Sequence, residues 1–463
     1  LAVPWQREQL FDKGMGCKYD DANILQDPCM KTMVDVAYLL AAVALTPWVL
    51  YRMVRYKRYR SGWGERFGKI SRRQPGKKCV WIHAVSVGEV NATGTVVKEL
   101  QKRLGDVEIV ISTTTDTGFA RAKAVYGDKH SVFYFPLDFS WVMRRAFMRI
   151  RPAVCLLMEL EVWPNFVHIA EQHNVPVVIV NGRITERSCR RYRKIRPLAK
   201  KIFRKVSLVL AQTQQYAERF VEIGAAREKV LVTGSLKYDT AQIADKVDGA
   251  DELAKMLNVG PERLWVAGAT GDDEEKILVD VYKRLRAKER FKDLRFAVVP
   301  RKPERFDEAA KVITDAGLEF VRYSRIKNSH QCAAGKVPVI LGDTMGDLRK
   351  FYSLATVIFV GRSLVPMGGS DMIEATALGK CTIFGPHAFN FTQTVEVLVD
   401  GAGAILVQDE RELFEAVEKC LNGPDFAAKI GQKGREIIRQ NQGATRKTAE
   451  EIEKILTAPK KIC

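Results

Sequence analysis

From Lys78 onward, short apolar runs alternate with amphipathic stretches of helical length, a pattern that fits little besides repeated βα units. The first half reads CVWIHAV, VEIVISTTT, SVFYFPLD, AVCLLMEL, VPVVIVNG, VSLVLAQT and KVLVTGS, and all but the last lead into helix-like sequence such as TGTVVKELQKRL or NFVHIAEQH. This predicts one doubly wound parallel sheet. After SLKYDTAQIADKVDGAD the pattern restarts with LWVAGAT, LRFAVVP, LEFVRYS, VPVILGD, TVIFVGR, CTIFGP and GAILV. Two such α/β domains are therefore expected, 61–240 and 241–424, joined near Ser235 to Ala250. The stretch from Asp425 to about Leu456 keeps helical periodicity, so 425–463 is expected as a C-terminal helix free to fold back across both domains. With 463 residues, 46% of them hydrophobic, the chain can bury two proper cores, which excludes collagen-like, disordered and disulfide-stapled classes.

The amino terminus is different. Residues 1–32 are polar and hold no apolar run, so they read as an extension outside any folding unit, with Met30 or Met33 as the expected start. Val36 to Tyr51 then runs without a charge for about sixteen residues, where a spanning helix wants about 20 and accepts about 17. RMVRYKRYR, Arg52 to Arg60, places five cations directly after it, so 33–60 is expected to be a membrane anchor with a basic flank that holds the rest of the chain in the cytoplasm. An interfacial helix, or a buried core helix with a solvated basic end, is the alternative. Lysine plus arginine number 74 against 55 acids, a net +19 that favours anionic partners without choosing among phosphates, acidic sugars, nucleic acid and a membrane surface. The nine cysteines show no CxxC pair and no metal-type spacing, as in a reducing compartment.

Ligands of open α/β sheets bind beyond the carboxyl ends of the strands, and two facing sheets enclose a cleft walled by those loops. After the first strand, HAVSVGEV puts Ser86, Gly88 and Glu89 at a helix start, where the dipole favours a carboxylate fit to act as a base; a plain helix-start residue is the alternative. MELEVWPN places Glu159 and Glu161 two apart, on one side of an extended chain, before a helix opened by Pro164. Two such acids suit acid/base chemistry or sugar recognition, and equally suit structural ion pairs. VNGRITERSCRRYRK supplies Arg183, Arg187, Arg190, Arg191 and Arg193, which fit an anionic headgroup or a solvated basic helix face.

In the second half, VAGATGDDEEK sets Gly268, Thr270 and Gly271 before an acidic helical turn, and VVPRKPERF puts Arg301 at a strand end. LGDTMGDL holds Asp343, Thr344 and Met345, and VGRSLVPMGGSDMIEATALGK brings Gly368 and Gly369 before a helix containing Glu374. Such a glycine pair admits phosphate to backbone N–H groups, and a carboxylate one turn in can take ribose hydroxyls, although glycine-rich loops before helices are common. No GxxxxGK[ST] or GxGxxG stands in the right context, which disfavours an ATPase or NAD enzyme, and no DxD-like or clustered His/Asp site calls for a catalytic metal.

Taken in order, HAVSVGEV, MELEVWPN, NGRITERS, GSLKYD, VPRKPERF, LGDTMGDL, GRSLVPMGG and ALGKCTIFGPHAFNF resemble the blocks of the 3-deoxy-D-manno-octulosonic acid (Kdo) transferases of Gram-negative lipopolysaccharide assembly. The likeness runs from about Gly62 to about Val407. It implies a GT-B fold, with two Rossmann-like domains facing a cleft, acceptor on the first and sugar nucleotide on the second, and an N-terminal membrane anchor. By that resemblance Glu89 matches the catalytic base and Glu159 a second essential acid. Arg301, Lys237, Gly268, Thr344, Gly368, Gly369, Glu374, Gly385 and Pro386 are expected on the donor side, and Ser86, Gly88, Arg183 and Arg187 on the acceptor side. The implied reaction is inverting, metal-independent transfer of Kdo from CMP-Kdo to a lipid A precursor, with no cofactor besides the donor substrate. Arg301, the helix start beyond Gly369 and the GPH loop would ease departure of CMP.

The expected partners are the lipid A precursor, CMP-Kdo and the anionic inner-membrane surface, without nucleic acid. The chain departs from the family pattern twice on the donor side, with GGSD (Ser370, Asp371) for GGHN, and Gly271 where a histidine is common. Another GT-B glycosyltransferase using a different sugar nucleotide is the alternative that the GGSD loop supports. A basic non-catalytic protein would also explain the charge, but the cations gather beside the apolar segment and at strand ends, and no nucleic-acid motif appears.

Overall fold

Each of those apolar runs forms a strand in the computed structural model, which describes residues 28–55, 60–71, 74, 76–329, 332–333 and 335–458. The first seven are β1 (Lys78–His83), β2 (Val107–Thr113), β3 (Ser131–Tyr134), β4 (Val154–Met158), β5 (Val177–Gly182), β6 (Leu208–Ala211) and β7 (Val230–Val232). They make one parallel sheet in the order β3-β2-β1-β4-β5-β6-β7. The second seven are β8 (Leu264–Thr270), β9 (Arg295–Pro300), β10 (Phe320–Arg322), β11 (Val339–Leu341), β12 (Val357–Val360), β13 (Cys381–Phe384) and β14 (Ile405–Leu406), in the order β10-β11-β9-β8-β12-β13-β14. Helices cover both faces, which is why the strands read as unbroken apolar runs. Alternation still sorts them: Cys79 and Trp81 join the core on one face of the first sheet, Val80 and Ile82 the core on the other. In each sheet the winding reverses once, between β1 and β4 and between β8 and β12, and a doubly wound sheet binds its ligand at that switch point.

The chain crosses between the domains twice. The first crossing is the short helix Leu236–Thr240. The second follows helix Pro424–Asn441, where Gly443 (φ 105°) breaks the stretch read from sequence as one helical segment into two. A left-handed residue cannot continue a right-handed helix, and glycine takes that conformation without a Cβ penalty. The last helix, Ala444–Thr457, then returns to the first domain, where Ala444, Ala449, Ile452 and Leu456 enter the core that contains Val90 and Val97 of helix Val87–Leu104. Arg103 on that helix holds Glu450 (3.3 Å) and Glu453 (3.1 Å) of the returning one.

Helix Pro28–Arg55 precedes the first domain and is pinned to it near its start. Asp35 accepts from the Ser140 N–H (2.9 Å) and Oγ (2.6 Å) and from Asn165 Nδ2 (2.9 Å), and the Tyr38 hydroxyl donates to Asp138 at 3.0 Å. Beyond that contact Leu39, Leu40, Val43, Leu45, Trp48, Leu50 and Val54 are exposed, and Thr32–Arg55, 24 residues, is long and apolar enough to cross a membrane. The span thus extends both sides of the apolar run read from sequence. Residues 1–27 of the expected extension and Tyr56–Tyr59 of the basic flank lie outside the described residues.

Because Ile452 is fully buried in the core of the other domain's sheet, Ile452→Ala is expected to destabilise the first domain by about 2–5 kcal/mol. A melting temperature equal to the parent's would show that the returning helix is not part of that core.

Candidate active site

β1 and β4 lie side by side at the switch point of the first sheet, and the loops leaving their carboxyl ends flank one crevice. The chain leaves β1 into helix Val87–Leu104 through a capping box. Ser86 Oγ accepts from the Glu89 N–H (3.3 Å), while the Glu89 carboxylate accepts from the Val85 N–H (3.0 Å), the Ser86 N–H (3.3 Å) and Ser86 Oγ (2.8 Å). Glu89 is therefore a helix-start residue in full. The same donors fix its carboxylate in one orientation, half exposed at the crevice.

β4 ends at Met158, and Glu159 takes φ 55°, so the chain turns there instead of running on extended. The expectation that Glu159 and Glu161 share one side of an extended strand fails for that reason. The turn still leaves both acids in the field of Glu89. Burial, and then the Glu89 charge, raises the Glu159 carboxyl above its ordinary range, with Arg183 and Lys237 pulling the other way. Glu161 is pushed up to about 7, by burial first and then by Glu89 and Glu159, so that near neutral pH it holds its proton about half of the time.

The arginine run after β5 divides. Arg190 and Arg193 pair with Glu186, and Arg193 also with Glu222, as structural ion pairs. Arg183 instead lines a cavity of about 260 Å³ between the domains, together with Lys237, Tyr216 and Phe391. Arg187 is exposed on the first turn of helix Glu186–Lys194. Lys237, on the crossing helix, has its Nζ 5.5 Å from the centre of the Phe391 ring and acts electrostatically on both Glu159 and Asp371. It stands between the acids of one domain and the glycine loop of the other.

A second cavity, about 640 Å³, is walled by Asn91 and Arg121 of the first domain and by Arg349, Asp371 and Glu374 of the second. This cleft holds Glu374, whose carboxyl is raised by burial and then by Asp371. Gly368 (φ 90°) and Gly369 (φ 80°) both require glycine, and a Cβ at 368 would lie 2.1 Å from Asn390 Nδ2. Arg301 leaves β9 and donates to Ser370 Oγ at 3.3 Å, and Ser370 donates to the Ala269 carbonyl (3.1 Å). The serine of the GGSD loop thus fixes the arginine.

Four expected donor-side groups have other duties. Where a Cβ of Gly268 would stand, the Tyr352 ring lies 2.4 Å away, so this glycine serves packing under the sheet. Thr344 Oγ1 donates to Asp347 (2.8 Å), a carboxylate also held by Lys327 and Lys350, and Thr344 lines neither of the two cavities above. The Gly385 N–H is taken by Ser363 Oγ (2.8 Å), and Pro386 has no N–H, so the GPH loop offers neither amide to a phosphate. The helix after the glycine pair, Ile373–Thr376, is only four residues long, and the Gly369 N–H is taken by the Arg362 carbonyl (2.7 Å). The sequence reading also passed over Glu274 and Arg362. Arg362 stands directly after an apolar strand run, the position that singled out Arg301, and so was open to the same rule; the buried bonds of Glu274 had no local signal.

Residues 61–240 match the family described as 3-Deoxy-D-manno-octulosonic-acid transferase (kdotransferase). Among full-length relatives, a 3-deoxy-D-manno-octulosonic acid transferase of Haemophilus influenzae is 34% identical over 396 residues, covering 84% of this chain and 90% of its own length. One of Bordetella pertussis is 31% identical over 440 residues, 90% of this chain and 98% of its own. Two solved structures share the fold at 15% identity: a glycosyltransferase of Rickettsia africae (TM-score 0.55, 83% of this chain, 100% of that one) and Anabaena HepE in complex with UDP (TM-score 0.53, 81% and 99%).

Glu161 titrates in the folded protein at about 7, against an ordinary 4.5, so ionising it favours unfolding across that interval. Glu161→Gln is therefore expected to match the parent's stability below about pH 4.5 and to gain on it as pH rises to about 7, by up to about 3 kcal/mol. Melting temperatures of the two proteins from pH 4 to 8 check this, and a difference that does not change with pH would contradict it.

Proposed function

The chain belongs to the Kdo transferase family, glycosyltransferases of lipopolysaccharide biosynthesis with a GT-B fold, and from that premise we propose that it transfers Kdo from CMP-Kdo to a hydroxyl of a lipid A precursor with inversion at the anomeric carbon. The observation that carries this reading is that Glu89, Glu159 and Glu161 lie in one another's field beyond the first switch point, while Lys237 acts on both Glu159 and Asp371, the last residue of the GGSD loop. Glu89 takes the proton of the acceptor hydroxyl, whose oxygen attacks the anomeric carbon of Kdo. The bond from that carbon to the phosphate oxygen breaks, and CMP leaves with the electron pair. Attack and departure on opposite faces invert the centre. Glu159, coupled to Glu89 and biased by Arg183 and Lys237, holds the acceptor hydroxyl in line and shares its proton.

Arg301 and Lys237 take up the charge of the departing phosphate, since the GPH amides and the Gly369 amide are already engaged. Glu374 in the cleft receives the ribose hydroxyls of the nucleotide. Ser86 and Gly88, at the helix start that presents Glu89, lie on the acceptor side, Arg183 meets the acceptor phosphates from the cavity wall, and Arg187 offers a second, exposed cation on the adjoining helix. The exposed apolar helix Pro28–Arg55 would hold the enzyme at the inner membrane with both domains in the cytoplasm, where a lipid acceptor is presented.

The test mixes detergent-solubilised protein with CMP-Kdo and a tetraacylated lipid A precursor, and follows CMP release and acceptor mass. A product heavier by one or more Kdo units is expected. Glu89→Gln keeps a side chain that the capping box accepts, so the fold should hold while turnover falls about 10²–10⁴-fold. Absence of product from the parent protein would remove the donor and acceptor assignment. Full turnover in the glutamine variant would remove the base.

A further inference from the structure

The second sheet has its own switch point, between β8 and β12, and the second residue beyond β12 is Arg362. Its backbone is left-handed, φ 61°, a conformation disfavoured for an arginine that persists only where its surroundings impose it. They do so through Glu274. That buried carboxylate accepts from the N–H groups of Arg362 (2.5 Å), Ser363 (3.0 Å), Leu364 (3.0 Å) and Gly271 (3.3 Å), so one acid ties the loop after β12 to the loop after β8. The Arg362 side chain is less satisfied. Its Nη2 donates to the Met367 carbonyl (3.2 Å), and its Nε is buried with no partner.

Arg301 leaves β9, on the other side of β8, and lines the same cavity as Arg362. Partial desolvation and then the Arg362 charge lower the proton affinity of the Arg301 guanidinium, with Asp371 pulling the other way. They line one cavity of about 270 Å³ with Lys302. Arg305 on the same wall is neutralised by Asp272 (3.0 Å), Glu275 (3.0 Å) and Glu308, whereas none of Arg301, Lys302 and Arg362 makes an ion pair among the described residues. Over the whole lining four cations, Arg301, Lys302, Arg305 and Arg362, face three acids, Asp272, Glu304 and Glu308, and the acids gather at Arg305 apart from Glu304. Two guanidiniums held together at a backbone cost, without a carboxylate between them, form a seat for a group with paired anionic oxygens.

We propose that Arg362 and Arg301 form an oxyanion cradle at the switch point of the second sheet, which grips the phosphate or the sugar carboxylate of the donor. This inference rests on the donor reading above and adds Arg362 as a further donor-binding residue. A purely structural Arg362 would instead serve only to fasten its loop to the Met367 carbonyl.

The left-handed backbone makes the test sharp, because Arg362→Gly removes the guanidinium and relieves the strain together. Titration calorimetry on the detergent-solubilised full chain compares CMP, CMP-Kdo, cytidine and free Kdo, against the parent, Arg362→Gly and Arg362→Lys. The glycine variant should melt no lower than the parent yet bind CMP-Kdo roughly tenfold or more weakly, with the lysine variant between them. The same loss for CMP assigns the cradle to the phosphate; a loss for free Kdo and CMP-Kdo alone assigns it to the carboxylate. Parent-like affinity in the glycine variant, or a loss matched by a lower melting temperature, overturns the inference and leaves the donor reading standing. If the parent binds neither CMP nor CMP-Kdo, the donor reading fails by itself, and inorganic phosphate then decides: a thermal upshift lost in the glycine variant supports the cradle, and an equal upshift in both overturns it.

Discussion

Asp239 sits on the short helix by which the chain first leaves the amino-terminal domain, and its carboxylate accepts from the N–H groups of Gly443 (2.6 Å) and Thr445 (2.5 Å), where the chain comes back. Gln442 adds bonds to the carbonyls of Tyr238 (2.9 Å) and Ala241 (2.8 Å) from the same return. The two crossings are thereby clasped side by side, and the two sheets meet with both sets of carboxyl-end loops turned to one cleft. Everything proposed for the site depends on that clasp, because an acid from one domain and a donor loop from the other must meet around one carbon. Lys237, two residues before Asp239, inherits its central place from it. A small number of hydrogen bonds at a crossing also leaves room for hinge motion, as domain closure around a substrate requires.

Across the cleft the two domains carry different clusters of charge. The first domain brings three carboxyls together at its switch point, and burial together with mutual repulsion keeps one of them protonated about half of the time near pH 7. The second brings Arg301, Lys302 and Arg362, none of them in an ion pair among the described residues, together with the carboxyls of Asp371 and Glu374. Such an arrangement is unfavourable in an empty protein and suits a reaction between a neutral hydroxyl, which needs a base, and an anionic donor, whose departing phosphate needs positive charge. The surplus of 19 positive charges fits this only in part, since much of the arginine run after β5 is spent on Glu186 and Glu222.

The fold was legible because parallel strands buried on both faces write themselves as apolar runs, and each run from CVWIHAV to GAILV became a strand. Strand ends were legible for the same reason, so Glu89, Glu159 and Arg301 could be named from position. What stayed hidden depends on contacts distant in sequence. The left-handed turn at Glu159 is local strain, while the Tyr352 ring under Gly268 and the Ser363 hydroxyl on the Gly385 N–H come from neighbours 84 and 22 residues away, and none leaves a mark in the surrounding letters. The break at Gly443 was the exception. A glycine after Gln442 was visible, but helical periodicity on both sides masked it.

Backbone strain follows the same geography. Among the described residues nine non-glycine residues have positive φ, and five of them, Glu159, Asn181, Ala269, Asp273 and Arg362, lie at or just beyond the carboxyl ends of β4, β5, β8 and β12. Asparagine and aspartate tolerate this conformation, but glutamate, alanine and arginine gain nothing from it locally. Strain of this kind survives where the surrounding structure over-determines it: the Glu159 N–H is tied to the Val180 carbonyl (2.9 Å), and the Arg362 N–H to Glu274. Both sheets therefore hold an ionisable side chain in a disfavoured backbone state at their switch points, an acid on one side and a base on the other. Glycine or asparagine would take that backbone at less cost, so at Glu159 and Arg362 the strain falls on two of the side chains that the proposed reaction uses.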